Sequence, residues 1–397
     1  MALEGTARMK NMLYIAFNNV ENTLYGVQAK IQSQCKAFRE HGYEVDLIER
    51  AGASTVLMNP DGKKTPIKER RTMISNYYVR SVLDKQYQIG DIGKYLEGKI
   101  YDACYIRYDF SDPGFIGLLK NLKKVCKKIA LELPTYPYDE ENSATFLSRM
   151  KLSVDIHFRK QLRKYVDFIV TFYDGHKEIF GVPTVVVPNG FDFSTFSLVQ
   201  SELPEDVIHI IAVSSMREWH GYERIIEGMH NYYAENPENK MNLVLHLVGN
   251  GREYEKYKAL IEKYELQDHI IMEGSMHGKQ LDDLYEIAAL GIDSLARHRS
   301  GIDVLSSLKS REYGAKGIPF INSCKIDIIE EDFPYMLRVP ANEEPIDIQQ
   351  ILCFYEFCYC AGKSRTEIGN EVRSYIESRS SMKTTMRKVA EQFGTEG

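Results

Sequence analysis

Short apolar runs alternate with stretches of helical periodicity along this chain, and the alternation restarts once. No other feature limits the fold as strongly, because it demands βαβ units and parallel sheets. The first unit is clear: MLYIAF is a buried-strand run, a polar loop NNVENTLYG follows, and Val27, Ile31, Cys35 and Phe38 then recur at helical spacing up to His41-Gly42. YEVDLI reads as the next strand, with Ala103–Arg107, Ile129–Leu133, Phe168–Phe172 and Val185–Val187 as further strands. Residues 54–72 are polar and basic and read as a surface hairpin or loop. VVVPNGFDFSTF ends the first alternation and SLVQSELPED is a polar, proline-containing link. Then IHIIAVSS, LVLHLVGNG, HIIMEGSM, LGIDSL and PFINS read as strands separated by helical segments, and residues 346–393 are helical in pattern. The simplest architecture is α/β, two Rossmann-like domains facing each other across a cleft, one over 10–198 and one over 205–378.

Composition narrows the class further. The 397 residues are 44% hydrophobic and 27% charged, which excludes a mostly disordered chain. No apolar run approaches the ~18 residues that span a bilayer, and the start MALEGTARMKNMLYIAF does not read as a secretory signal. Seven scattered cysteines make a disulfide framework improbable, and a cytoplasmic setting fits them. The net charge of −6 hides an asymmetry: residues 1–200 hold 28 Lys and Arg against 23 Asp and Glu (+5), the rest 22 against 33 (−11). The first half is therefore the candidate to meet something anionic.

Neither G-x-G-x-x-G nor G-x-x-x-x-G-K-[ST] occurs, so dinucleotide and P-loop sites are not supported. Cys353, Cys358 and Cys360 lack a nearby histidine and read as buried core cysteines rather than metal ligands; no metal and no cofactor are expected. Gly249 and Gly251 follow a strand, as in turns that let a ligand approach the backbone; an ordinary strand-to-helix turn is the alternative. In SSMREWHGYERII, Arg217 and His220 fall between a strand and a helix N-terminus, where a diphosphate is favoured; a solvated loop anchored by Trp219 is the alternative. The densest region is LARHRSGIDVLSSLKSREYGAKGIPFINS. Arg297 and Arg299 follow a strand, Ser300-Gly301 form a turn, and Lys309 and Glu312 share a helix face. A cation at a helix start suits a phosphate, and a carboxylate one turn on can accept both hydroxyls of a ribose; a surface i, i+3 ion pair is the alternative.

At this point the chain resembles glycosyltransferase family 4, bacterial polysaccharide-type enzymes of the GT-B fold. SLKSREYGAKGIPFI looks like that family's donor segment, and the Glu five residues before the Gly-x-Pro glycine falls on Glu312, which the resemblance implies holds the nucleotide ribose. VVPNGFD, LHLVGNGREYEKY, IIMEGSMHGKQLDDLYEIAALGIDSL (with Gly274), YGVQAKIQSQCKAFREHGYEVDLI and LELPTYPYDEE resemble further family segments in order. Two positions depart: Val304 stands where a paired glutamate is common, and His220 and Ser215 stand at the usual lysine and arginine positions, with Arg217 close by.

The resemblance implies a retaining, metal-independent transfer of a sugar from a nucleotide-sugar, UDP-sugars being favoured, to a saccharide or lipid-linked acceptor in surface glycan synthesis. Arg217, His220, Lys309 and Arg299 are the candidates to meet the leaving diphosphate, and His220 the candidate to stabilise or protonate it. Ser300, Gly301, Gly249, Gly251 and Gly274 are expected along the donor. On the acceptor side the expectation is Glu132, at a strand end before PTYPYDEE, with Tyr25, Gly26 and Tyr136; Glu132 capping local backbone is the alternative. The final helix, 380–397, is expected to pack back on the first domain. LLKNLKKVCKKIA, read as a helix, carries Lys120, Lys123, Lys124, Lys127 and Lys128, a solvated face or a peripheral contact with anionic membrane. A non-catalytic GT-B subunit that binds a partner enzyme or glycan, and a sugar-nucleotide epimerase, are the rivals; a nucleic-acid partner is disfavoured by the pI of 6.0.

Overall fold

Residues 12–16 are fully buried although successive strand side chains point to opposite faces, so this strand needs cover on both sides. The structure, a computed structural model, describes residues 9–20, 25–59, 61–71, 77–139, 145–172, 175–235 and 241–394. It divides into two units, residues 1–190 with 382–397, and residues 191–381.

In unit 1 the strands are β1 (Lys10–Asn19), β2 (Tyr43–Ala51), β3 (Ser54–Met58), β4 (Lys64–Lys68), β5 (Tyr101–Arg107), β6 (Cys126–Leu133), β7 (Phe168–Thr171), β8 (Glu178–Ile179) and β9 (Val182–Val186). Their order is β4-β3-β2-β1-β5-β6-β7-β9-β8. The stretch β2-β1-β5-β6-β7-β9 is parallel, with the β3–β4 hairpin added antiparallel at one edge and β8 antiparallel at the other. The polar 54–72 stretch supplies that hairpin. Helices α1 (Tyr25–Glu40), α2 (Tyr77–Tyr95), α3 (Pro113–Val125) and α4 (Phe146–Phe158) connect the strands. Leu13 and Ile15 face a core shared with α2, α3 and α4, while Met12, Tyr14 and Ala16 face one shared with α1.

Unit 2 contains β10 (Val207–Ser214), β11 (Asn242–Gly249), β12 (Ile270–Gly274), β13 (Ala288–Ile292), β14 (Val304–Leu305), β15 (Phe320–Asn322), β16 (Lys325–Ile326) and β17 (Met336–Arg338), with α5 (Tyr222–Ala234), α6 (Tyr254–Lys263), α7 (Lys279–Ile287), α8 (Leu308–Lys316), α9 (Ile348–Tyr359) and α10 (Arg365–Ser380). The main sheet runs β12-β11-β10-β13-β15-β17, all parallel, and β14 pairs with β16 apart from it. This is the 3-2-1-4-5-6 order of a doubly wound sheet, whose direction reverses between β10 and β13.

The last helix, α11 (Met382–Gly394), belongs to unit 1. Met386 and Val389 are fully buried there, and the Phe393 ring meets Phe38, Tyr43 and Phe168. The units divide after Gly190, earlier than the expected 198. Phe193 and Phe196 go with unit 2 because Arg373 of α10 donates to both their carbonyls at 2.8 Å. The lysine segment is also not one helix. α3 stops at Val125, and Cys126 starts β6 with extended backbone, so Lys127 and Lys128 lie on a strand. Lys123 pairs with Asp167 at 2.8 Å, Lys127 pairs with Asp102 at 2.6 Å, and Lys128 donates to the Gln392 carbonyl. Among the described residues no helix is long and apolar enough to cross a membrane.

Candidate functional site

The strand order reverses between β10 and β13, and the strand carboxyl ends at such a reversal are where sheets of this kind bind ligands. Two loops meet there. The Leu295 N–H donates to the His220 carbonyl at 2.8 Å, and the Ala296 N–H to the Trp219 carbonyl at 3.3 Å. These bonds bring Arg217 and His220, after β10, beside Arg297, after β13. The loop after β10 is strained: Met216 is buried with φ +33°, a conformation rare for a residue with a side chain.

His220 is buried, and its Nδ1 accepts the Arg217 backbone N–H at 2.9 Å. A neutral ring with that acceptor carries its hydrogen on Nε2. Burial, then the charges of Lys309, Arg297 and Arg217, push its pKa down to about 2. The expectation that His220 protonates a leaving phosphate near neutral pH is therefore corrected: the ring is a neutral N–H donor. The Arg217 guanidinium has no ion pair among the described residues, and Arg297 lies 5.5 Å over the Trp219 ring with its buried Nε unpartnered. Burial holds Arg297 below the ordinary arginine range.

Lys309 opens α8, where Ser307 caps the helix by accepting the Lys309 N–H at 3.1 Å. Its Nζ donates to the Asp293 carbonyl (2.8 Å) and Ser294 Oγ (3.1 Å) and lies 3.0 Å from Asp293 Oδ1. The ammonium's three protons are thus directed at protein oxygens, and Lys309 is not the free phosphate ligand the sequence suggested. Burial lowers its pKa, and Asp293, fully buried itself, opposes that shift. One turn on, Glu312 Oε1 accepts the Tyr285 hydroxyl at 2.9 Å, and no hydrogen bond to its other oxygen forms among the described residues. Burial raises its pKa, against the Tyr285 bond and Lys316. A carboxylate with one oxygen fixed and one open suits a hydroxyl-bearing ligand.

Other expected donor residues are placed differently. Arg299 donates to Glu223 Oε1 (2.6 Å), to the Glu218 carbonyl (2.7 Å) and to both Glu343 oxygens. Two carboxylates compensate it, so it ties the loop together and is not available to a diphosphate. Arg297, two residues earlier, is the available cation. A side chain at Gly249 or Gly251 would meet the Ser214 carbonyl at 1.8 Å or the Ser215 carbonyl at 1.9 Å. Both glycines are thus needed for a close approach within the chain itself. Ser300 donates to the Arg297 carbonyl at 2.9 Å, and Gly301 ends that turn with φ +64°. Gly274 ends β12 in open space, where an added methyl would meet nothing within 4 Å.

In unit 1, Glu132 is fully buried. Its Oε2 accepts the Tyr105 hydroxyl at 2.6 Å and the Gln34 amide, and its Oε1 pairs with Arg107. Burial pushes its pKa up, but Arg107, Lys30, Tyr105 and Gln34 outweigh that and hold it below the ordinary range. Three side chains, two from β5 and one from α1, consume the carboxylate, so it neither meets an acceptor hydroxyl nor caps local backbone. Tyr136 is half-buried, edge-on to His176 and Phe180. Tyr25 and Gly26 open α1, and their side-chain surroundings lie outside the described residues, as do positions 21–24 of the preceding loop. Of the three late cysteines only Cys358 is buried; Cys353 and Cys360 are exposed on or at the end of α9. Sequence reasoning missed Asp293, Tyr285 and the choice of Arg297 over Arg299. The one available signal was that Arg297 stands nearer the apolar end of its strand run.

Residues 194–296 match the family model described as Glycosyl transferases group 1. No curated protein matches the chain. Among solved structures the chain is similar to a glycosyltransferase from Rickettsia africae (14% identity, 98% of this chain and 100% of that one, TM-score 0.61). It is also similar to sucrose-phosphate synthase from Thermosynechococcus elongatus (16%, 97% and 97%, TM-score 0.60). A third is HepE of Anabaena in complex with UDP and glucose (12%, 97% and 99%, TM-score 0.56). The fold is the two-domain α/β fold of GT-B structures. With the family model, these likenesses support a GT-B glycosyltransferase of group 1 type.

Proposed function

We propose that this chain is a retaining, metal-independent glycosyltransferase of the family 4 type. It takes a sugar from a nucleotide-sugar, UDP-sugars being favoured, and passes it to a saccharide or lipid-linked saccharide acceptor in surface glycan synthesis. The observation that carries this reading is that, after β10 and β13, Arg217 and Arg297 make no ion pair among the described residues, while Glu312 on α8 has one carboxylate oxygen bonded and one open. Arg217, Arg297 and the His220 Nε2–H meet a diphosphate, and Glu312 accepts from ribose hydroxyls. The UDP held by the Anabaena protein of the same fold supports the choice of base.

In the reaction the bond between the anomeric carbon and the diphosphate oxygen breaks with both electrons going to the diphosphate. The acceptor hydroxyl oxygen bonds to the same face of that carbon, and its proton passes to an oxygen of the departing phosphate. The developing charge falls on Arg217, Arg297 and His220, so no protein carboxylate need act as base.

Val304, exposed on β14, favours one other reading, a non-catalytic subunit that binds a partner enzyme or glycan. Calorimetry with UDP, GDP and their sugars separates the two. We expect one nucleotide to bind selectively and Glu312→Ala to weaken it roughly 10- to 100-fold, the loss of a charged hydrogen-bond acceptor worth ~1.5–3 kcal/mol. Folded protein that binds no nucleotide would overturn the donor assignment.

A further inference from the structure

Arg297 and Arg299 follow β13 two residues apart, and different chemistry holds each. Arg299 gives its N–H groups to Glu223, Glu343 and the Glu218 carbonyl. Arg297 makes no ion pair among the described residues; Asp293, whose charge acts on it, is bound to Lys309 at 3.0 Å. What Arg297 meets is an aromatic ring. Its guanidinium carbon lies 5.5 Å from the centre of the Trp219 ring, and both side chains are half-buried. A ring face attracts a cation through its quadrupole. It claims none of the five N–H donors of a guanidinium, whereas a carboxylate takes two of them.

The backbone builds this contact. The Ala296 N–H donates to the Trp219 carbonyl at 3.3 Å and the Leu295 N–H to the His220 carbonyl at 2.8 Å, so the two loops run side by side. They approach so closely that a side chain at Gly221 would meet the Ala296 methyl at 2.5 Å. The buried Arg224 side chain donates to the Leu295 carbonyl and fixes the same stretch. An arginine free to rotate loses rotamer entropy when a ligand immobilises it, and one held beforehand does not. The Trp219 ring thus orders Arg297 in advance while its donors stay open; the buried Nε has no partner among the described residues.

We propose that Trp219 is a positioning residue for the diphosphate: its ring holds Arg297 in place and leaves the guanidinium N–H groups to the phosphate oxygens. Trp219 acts through Arg297 and not on the nucleotide itself. This inference rests on the donor-site reading above.

The full chain and its variants, checked for folding by circular dichroism and titrated calorimetrically with UDP and with uridine, test this. Two ringless variants, Trp219→Leu and Trp219→Met, are expected to weaken UDP binding ~5- to 30-fold, the equivalent of ~1–2 kcal/mol of cation–π attraction. Trp219→Tyr, which keeps a ring, should weaken it less than threefold. Uridine, which lacks the diphosphate, should keep its affinity within twofold in all three. Added to Arg297→Ala, either ringless change should weaken UDP by no more than a further twofold. Equal losses with and without Arg297, or loss of uridine along with UDP, would assign Trp219 to the nucleotide or to the loop at large and overturn the inference. Parent affinity for UDP in the ringless variants, or an equal loss in Trp219→Tyr, overturns it too. A folded parent that binds no UDP refutes the donor reading and this inference with it, whereas UDP binding that ignores Trp219 refutes this inference alone.

Discussion

Replacing Asp293 by Asn removes the one charge that compensates Lys309. At 3.0 Å and an effective dielectric of about 20, the pair attracts by about 5.5 kcal/mol. Part of that offsets the cost of burying the carboxylate, and breaking a buried pair typically costs ~3–5 kcal/mol. Lys309 keeps two neutral acceptors and 18% side-chain exposure, so the lower end applies, about 3 kcal/mol. The sign with pH follows from the direction of the shift. Lys309 already lies below the ordinary lysine value through burial, and losing Asp293 lowers it further. A lysine neutral in the fold but charged in the unfolded chain makes stability rise with pH across that window. The deficit of Asp293→Asn should therefore be largest at pH 6 and shrink towards pH 9. Urea unfolding followed by the fluorescence of Trp219, the single tryptophan, reads unit 2 directly. Adding Lys309→Met to Asp293→Asn should recover most of the loss, a coupling of about 3 kcal/mol. A deficit under about 1 kcal/mol at pH 6, or one that grows with pH, would refute the arrangement.

Three further outcomes follow from the same geometry. Arg297→Ala should weaken UDP binding at least tenfold with little change in melting temperature, whereas Arg299→Ala should lower the melting temperature and move UDP affinity less than threefold; calorimetry and thermal unfolding of both variants decide. Gly249→Ala, which drives a methyl into the Ser214 carbonyl, should cost ~2–3 kcal/mol, while Gly274→Ala, at φ +69° in open space, should cost only ~1 kcal/mol of backbone strain, both read by urea midpoint. Glu132→Gln should cost about 3 kcal/mol at pH 7. Because Glu132 titrates below its unfolded value, its stabilisation is present above pH ~4.3 and lost as pH falls through the folded pKa, so the deficit should be smaller at pH 3.5, as followed by circular dichroism.

What could be read in advance depended on whether a signal was local. The central parallel strands of both sheets were legible because strands covered on both faces leave apolar runs such as Met12–Phe17 and Ile210–Val213, whereas the short edge strands β8 and β17 were not read. The α8 segment was legible because its capping serine, Glu312 and terminal Gly317 lie within eleven residues. Glu132 was not. Its partners Gln34, Tyr105 and Arg107 stand 98, 27 and 25 residues away, and no window shows that they converge. Arg297 and Arg299 both follow the same strand, two residues apart, and the fold separates them: Arg297 lies over Trp219, while Glu223 and Glu343 reach Arg299. Lys127 and Lys128 fit a helical charge pattern, but pairing of Cys126–Leu133 with β5 fixes them as strand.

α11 also sets the order in which the molecule can be finished during synthesis. Unit 2 is continuous, residues 191–381, but unit 1 needs Met386, Val389 and Phe393 to close the face that holds Phe38 and Phe168. At ~5–20 residues per second a ribosome needs roughly 10–40 s to pass from one part of unit 1 to the other. Through that interval the nascent sheet waits with an aromatic face uncovered, and the half of the chain that emerges second is the first to be complete. Chaperone demand should therefore fall on the early half, and a premature stop just before α11 would strand it there.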